Sequence, residues 1–420
     1  MKSARFRGAC TLVATITLAF AFMAPGAMAS KFKTLYTFTG GADGSTPLAG
    51  LIFDQAGNLY GTTYAGGNSD LCPKGCGTAF ELSPNGDGTW REKVIYALEY
   101  PEKGPASSLI FDSAGNLYGT AVYGGVYGDG SAFELTPNGD GSWTSNVLHS
   151  FIYDFVDGHY VSGGLVMDKS GNLYGTTDIG GDACFPNGCG TAYELSPNGD
   201  GTWTETILHS FANDGRYGYQ DGMLPLAGMI FDASGNLYGT TANGGPNGDG
   251  TVFELSPNGD GTWNEKILHS FVNDTYCPHA GVIFDSAGNL YGTTYNGFYG
   301  PSAIFELTPN PDGSWSERLL YAFADDGKSG YLPAGGVVMD AKGNLYGTTT
   351  AGGANGYGVV YQFGPKSSTG KNSGYRVYPF ENRPGAYPYS TLIFDSSGNL
   401  YGTTSGDGIT TFGSVFEITP

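Results

Sequence analysis

Phe53-Asp54-Gln55-Ala56-Gly57-Asn58-Leu59-Tyr60-Gly61-Thr62-Thr63 decides the fold, because its centre, Gly-Asn-Leu-Tyr-Gly-Thr, occurs seven times. The copies begin at Gly57, Gly115, Gly171, Gly235, Gly288, Gly343 and Gly398. A motif that returns every 53 to 64 residues marks one supersecondary unit copied along or around an axis. Residues common to every copy build a scaffold, so function is sought in what differs between copies.

Outward from the motif, one copy reads as four strands. Leu48 to Asp54 is the first, and Gln55-Ala56-Gly57 is a tight turn. Asn58 to Thr63 is the second, followed by a glycine-rich loop from Ala65 to Gly77. Thr78 to Ser83 is the third, Pro84-Asn85-Gly86-Asp87-Gly88 a turn, and Thr89 to Leu98 the fourth. Short β-branched and aromatic runs broken by Gly, Asn, Asp and Pro are hairpin signals. No stretch carries helical spacing over 11 residues or more. The chain has 71 glycines, the recurrent ones falling where turns need positive φ, as in Ala-Gly-Asn and Asn-Gly-Asp-Gly, and an aromatic content of 14% argues against disorder.

The seventh copy has three strands: Thr391 to Asp395, Asn399 to Thr404 and Ser414 to Thr419. Its fourth is found at the other end. Lys33-Thr34-Leu35-Tyr36-Thr37-Phe38 matches the fourth-strand copies Lys93 to Leu98 and Lys266 to Phe271. A chain built this way can complete its last sheet with its own N-terminal strand and leave no open edge. The expectation is an all-β, seven-bladed β-propeller of four-stranded antiparallel blades over residues 30–420. A linear solenoid is the rival, and it would need caps.

Residues 1–29 read as a secretory signal peptide. Lys2, Arg5 and Arg7 precede an apolar run from Thr11 to Met23, and Ala27-Met28-Ala29 has the form of a cleavage site. The rival is a membrane helix, for which the run is short. The expected location is secreted, periplasmic or cell-surface, with no membrane span. The chain's net charge of −20 becomes −23 once the three basic residues of the leader are removed. Such an acidic surface disfavours nucleic acid and anionic lipid. Cys72 and Cys76, and Cys184 and Cys189, are expected to form two local disulfides, with a four-cysteine zinc site as the alternative. Cys277 is left over.

Phe-Asp-x-x-Gly-Asn-Leu-Tyr-Gly-Thr-Thr followed by Gly-Thr-x-Phe-Glu-Leu-Ser/Thr-Pro resembles the tandem repeat of secreted bacterial proteins known as GloVer-type, or choice-of-anchor, repeat proteins. The resemblance covers essentially all of the chain after the leader. It implies an extracytoplasmic repeat protein, with no established activity and no catalytic residues to carry over. Many relatives carry a C-terminal sorting segment, whereas this chain ends on a repeat. Ser83 to Trp90 and its four copies are also similar to the Asp-box of sialidase-like propellers, suggesting a hydrogen-bonded turn capped by a buried indole. All five tryptophans lie in these turns. The sixth blade has Gly364 to Gly374 instead, a Ser/Lys/Gly-rich stretch of linker composition.

The repeated polar residues read as scaffold. Asp54 and its six equivalents suit an Asx-type turn better than a calcium site. His149, His209 and His269 share one position with Tyr36, Tyr96 and Tyr321 and read as packing residues. No metal or other cofactor is expected, calcium being the one considered. The candidate ligand face is the long, irregular loops from strand four to the next strand one and from strand two to strand three. It offers Asp157, His159, Tyr160, Tyr217, Tyr219, Asp221, Tyr276, His279 and Tyr299. Amphipathic aromatics with Asp and His suit a glycan or a protein partner. The expectation is a monomeric, non-enzymatic binding or surface scaffold module. The alternative is a carbohydrate-active hydrolase or lyase, with His159, Asp157 or His279 as acid/base candidates.

Overall fold

The computed structural model describes residues 31–68, 72, 74–154, 156–182, 184, 188–212, 221–272, 277–295, 302–324, 326–364, 375–381 and 385–420. The leader, Tyr217, Tyr219, Tyr276, Tyr299 and the linker-like stretch after Gly364 lie outside them.

Each copy folds as a four-stranded antiparallel meander. In blade 1 the strands are Ile52–Phe53, Leu59–Thr63, Thr78–Pro84 and Trp90–Ala97, hydrogen-bonded in chain order. Blades 2 to 6 repeat this over 110–150, 166–210, 230–270, 283–322 and 338–379. Blade 7 takes Ile393–Phe394, Leu400–Thr404 and Ser414–Thr419 and is completed by Lys31–Thr37. The register runs from Lys31 opposite Thr419 to Thr37 opposite Ser414. The protein is therefore a closed seven-bladed β-propeller. Beneath the sealed sheet, the Thr403 hydroxyl donates to the Ala49 carbonyl at 2.9 Å. The same bond joins Thr176 to Ala227, Thr240 to Ala280 and Thr348 to Ser390, each at 3.0 Å, so the seam is built like the other blade junctions.

The motif explains itself in this setting. Asp54 Oδ1 accepts from the Ala56 and Asn58 amides at 2.8 Å, and Oδ2 accepts from Asn58 Nδ2 at 2.8 Å. Tyr60 reaches the same carboxylate at 3.4 Å. Gly57 takes φ +85° in that turn, with open space around it. The second glycine does a different job. A Cβ at Gly239 would stand 2.4 Å from Cζ of Phe253 on the third strand, so the position must be empty for the ring to lie there. The five residues of each second strand are buried almost throughout.

The core is consequently seven layers between neighbouring blades. One layer packs Leu51, Leu59, Phe80 and Leu82 of blade 1 against Leu35, Phe38, Tyr401 and Val415 at the seam. The motif tyrosine is shared between blades: Tyr60 meets Phe111 of blade 2 edge-on at 5.2 Å. The tryptophans differ from expectation. The turn is hydrogen-bonded as anticipated, with Asp87 Oδ1 accepting from Thr89 N at 2.8 Å, but the indole is half-buried and reaches across to the preceding blade. Trp143 lies 6.4 Å from Tyr60, and Trp90 lies 6.3 Å from Tyr401. Position and geometry make it a blade-to-blade staple.

Both expected disulfides are present, Cys72–Cys76 and Cys184–Cys189, each within a loop from strand two to strand three. Cys277 is free. Among the described residues no helix is long and apolar enough to cross a membrane. The disulfides are compatible with an extracytoplasmic location.

Candidate functional site

Two short segments of each blade meet on one face. Two-stranded ribbons pair Gly158–His159 with Ile179–Gly180, Gly222–Met223 with Asn243–Gly244, and Gly330–Tyr331 with Ala351–Gly352. Bridges from Ser45 to Ala65 and from Pro105 to Ala121 do the same in blades 1 and 2. The loops entering strand one and leaving strand two thus share a face, as the meander connectivity requires.

A repeated backbone device aims side chains from these loops at the axis. Thr46, Tyr160, Leu224, Cys277, Leu332 and Tyr387 are left-handed, with φ between 54° and 62°, and Gly104 takes this place in blade 2. Holding such a conformation costs a non-glycine residue about 1–2 kcal/mol. Paired hydrogen bonds on either side hold it. The Cys277 amide donates to the Asp249 carbonyl at 2.9 Å, and the Cys277 carbonyl accepts from the Tyr295 amide at 2.9 Å. The residue two positions on then turns inward. These are Leu48, Ala106, Ser162, Leu226, His279, Ala334 and Tyr389.

Six of those seven line a cavity of about 620 Å3 at the mouth of the axis, together with Thr46, Tyr295 and the Ser405–Gly408 turn. Below it a channel of about 310 Å3 follows the axis between small residues, among them Gly50, Ser107, Gly164, Gly228, Gly281 and Gly335. His279 stacks on Tyr295, with ring centroids 4.3 Å apart and planes 18° from parallel. Burial alone pulls the imidazole down to about 4, so it is neutral near pH 7. Tyr389 is 40% exposed. Asp407 is the carboxylate at the rim. Its oxygens accept from the Ile409, Thr410 and Thr411 amides and the Thr410 hydroxyl, which hold it far below the usual carboxylate range. It shapes the turn and stays ionised.

Of the nominated residues that the structure describes, His279 alone lines this cavity. Asp157 and Asp221 turn instead into the clefts between blades. Asp157 Oδ2 lies 3.2 Å from His149 Nε2, which is also 3.5 Å from Glu205 of blade 3. Asp221 Oδ2 lies 3.0 Å from His209 Nε2, with Glu265 of blade 4 completing the group. These histidines do pack edge-on against Phe151 and Phe211, as expected, but they also face carboxylates. Burial and the neighbouring aspartate push Glu205 and Glu265 well above the ordinary carboxylate range. His159 is buried between Tyr153 and Tyr160, and neither ring nitrogen has a partner. Burial lowers its pKa. Tyr160 holds one of the left-handed positions and meets Tyr123 edge-on.

Sequence reasoning missed Tyr295, Ser405 and Asp178. The signal was available in the repeat alignment. The residue after each second strand is Tyr64, Val122, Asp178, Ala242, Tyr295, Thr350 and Ser405, six residue types in seven blades beside strands that are almost invariant.

Asp178 gives the face a pH dependence. It is hydrogen-bonded to the Ser162 hydroxyl, and burial raises it from 3.8 to about 7. The folded pKa lies above the unfolded one, so ionisation opposes the fold. The cost is absent below about pH 4, grows as pH rises, and is complete above about pH 7. Asp178→Asn is expected to stabilise the protein by up to about 4 kcal/mol at pH 8.5 and to be near neutral at pH 4. Thermal melts of both proteins at the two pH values check this, and an equal effect at both would refute the assignment.

The family model for the Gloeobacter/Verrucomicrobia repeat matches residues 69–300 and 225–420. No curated protein matches the chain. Among solved structures, the chain is similar to a protein of unknown function from Dyadobacter fermentans DSM 18053. That match has 12% identity and a TM-score of 0.45, and it covers 94% of this chain and 100% of the other.

Proposed function

The chain belongs to the Gloeobacter/Verrucomicrobia repeat family, and on that footing we propose that it is a secreted, non-enzymatic binding module that takes a neutral oligosaccharide at the axial mouth. The observation that carries this reading is the composition of the mouth. Its variable wall combines a stacked His279–Tyr295 plate with Tyr389, Thr46 and Ser405, on a scaffold otherwise repeated seven times. Aromatic faces pack on the C–H faces of sugars, and phenol and hydroxyl groups bond their hydroxyls. A cavity of about 620 Å3 falls in the range of small-molecule sites. The chain's charge of −20 and the ionised Asp407 turn away polyanions.

The hydrolase or lyase alternative asks for an acid/base pair facing the ligand. His279 responds to burial alone, Asp157 faces a blade cleft, and His159 is enclosed by tyrosines. The binding reading is therefore preferred.

Titration calorimetry with a panel of neutral oligosaccharides tests it. A ligand is expected whose affinity falls roughly tenfold in Tyr389→Ala and in His279→Ala, as loss of one aromatic contact implies. Affinity unchanged in both variants would remove the mouth from consideration. New reducing ends or unsaturated products, lost in His279→Ala, would favour the enzyme.

A further inference from the structure

We propose that two blade clefts each bind a divalent transition-metal ion of the zinc class, one through His149, Asp157 and Glu205 and the other through His209, Asp221 and Glu265. Each cleft is assembled from three elements. The histidine ends the fourth strand of one blade, the aspartate enters from the loop that follows it, and the glutamate projects from the fourth strand of the next blade. The six residues belong to neither the axial cavity nor its rim.

Geometry is the first support. One donor atom from each residue of a set lies within 4.8 Å of the other two. His149 Nε2 is 3.2 Å from Asp157 Oδ2 and 3.5 Å from a Glu205 oxygen, and His209 Nε2 is 3.0 Å from Asp221 Oδ2. Ligands about 2.0–2.2 Å from a tetrahedral zinc stand roughly 3.3 Å apart, so the ion would enter with small adjustments. One imidazole with two carboxylates leaves a fourth position open. That donor set favours zinc or a neighbouring transition ion over calcium and magnesium, which take oxygen ligands throughout.

Charge is the second support. Each set brings two carboxylates together, and among the described residues no Lys or Arg pairs with them. Glu205 Oε1 and Glu265 Oε1 are buried and have no hydrogen-bond partner. Buried carboxylates in this position need either a proton to share or a cation between them. The aspartates are already oriented. Asp157 accepts from the Ile152 amide at 3.1 Å and the Gly158 amide at 2.6 Å, and Asp221 from the Ala212 amide at 2.8 Å and the Gly222 amide at 2.6 Å. Outer-sphere bonds of this kind fix the direction of ligand lone pairs.

The remaining clefts serve as internal controls. At the seam Tyr36 bonds Asp43 where a histidine would stand, with Glu92 beyond. In the next cleft Ser145 holds the place of the glutamate and bonds Glu102. At the third histidine, His269 Nε2 lies 3.4 Å from Glu317, but among the described residues only the clefts of His149 and His209 bring all three ligand types together.

The test uses the mature protein carrying Cys277→Ser, which removes the free thiol as a competing zinc ligand. After exhaustive chelation it is loaded with zinc chloride, desalted and analysed for metal, and its melting temperature is followed with zinc, calcium and magnesium. Two zinc ions per chain are expected. A melting-temperature rise of roughly 5 °C is expected with zinc about 100-fold above the dissociation constant, and none with calcium or magnesium. Glu205→Gln should lose one ion, and the double variant with Glu265→Gln both, with near-ultraviolet circular dichroism unchanged. No retained zinc and no shift in the parent would show that the clefts share protons instead. Undiminished zinc in the folded double variant would place the ions elsewhere. Either result overturns the proposal.

Discussion

A chain lacking residues 31–39 is expected not to form a stable monomeric ring. The deletion removes the outer strand of blade 7 and exposes the edge of Ser414–Thr419, which pairs with it from Lys31 to Thr37. It also removes Leu35 and Phe38, both buried in the layer containing Phe80 and Val415. Truncating one buried leucine and one buried phenylalanine typically costs about 2–5 and 3–5 kcal/mol respectively. That sum approaches the 5–15 kcal/mol that separates most folded domains from their unfolded chains. The exposed edge would then recruit other chains. Size-exclusion chromatography and a thermal melt decide the matter. A monomer melting within a few degrees of the parent would contradict ring closure by this strand. A circular permutant restores the claim from the other side. Joining Pro420 to Lys31 by a short linker and opening the exposed Asn198-Gly199 turn should preserve the fold, because every blade remains complete.

Gly239→Ala is expected to destabilise the protein by about 3 kcal/mol through overpacking, although Gly239 has an ordinary backbone conformation. The added Cβ would sit 2.4 Å from Cζ of Phe253 and 3.2 Å from Cγ of Met229. Phe253 is fully buried and meets Phe211 at 5.0 Å, so it has nowhere to retreat. Gly235, four residues earlier in the same motif, gives the contrast. Its φ is +90° and its surroundings are open, so Gly235→Ala should cost about 1 kcal/mol from backbone strain alone. Phe253→Leu placed on Gly239→Ala should recover part of the loss, as two contacting residues are coupled. Denaturant melts of the four proteins measure this. Equal costs for the two alanines, or strict additivity with Phe253→Leu, would reject the explanation.

The fold was largely legible in the sequence because its signals are local and repeated. Asp54, Gly57 and Asn58 specify a turn within five residues, and the fourth-strand copy at Lys33 to Phe38 announces its own partner. The disulfides followed from spacing and compartment. The mouth was less legible. Long loops drew the eye to Asp157 and Asp221, while the cavity wall comes from single positions at fixed offsets, such as Tyr295 and Ser405. The clefts were hidden by a bulge. Strict alternation would put Glu205, Ile207 and His209 on one face of their strand. The register shifts between Ala192 and Tyr193, leaving Leu208 as the extra residue, and His209 turns to the opposite face. Glu205 therefore looks back at His149 of blade 2, and His209 looks forward to Glu265 of blade 4. No period-two reading recovers that.

The seam has a consequence for biosynthesis. Ala49 and Thr403, bonded across it, are 354 residues apart in the chain. At about 5–20 residues per second, a nascent chain spends tens of seconds with its first strand made and that strand's neighbour not yet translated. Blades 1 to 6 can stack as they emerge, but the last cannot finish until the final residues arrive. Until then two hydrogen-bonding edges stay open to chaperones, proteases and other nascent chains. Quality control of this protein therefore concentrates at one late event, the capture of an early strand by the last one made.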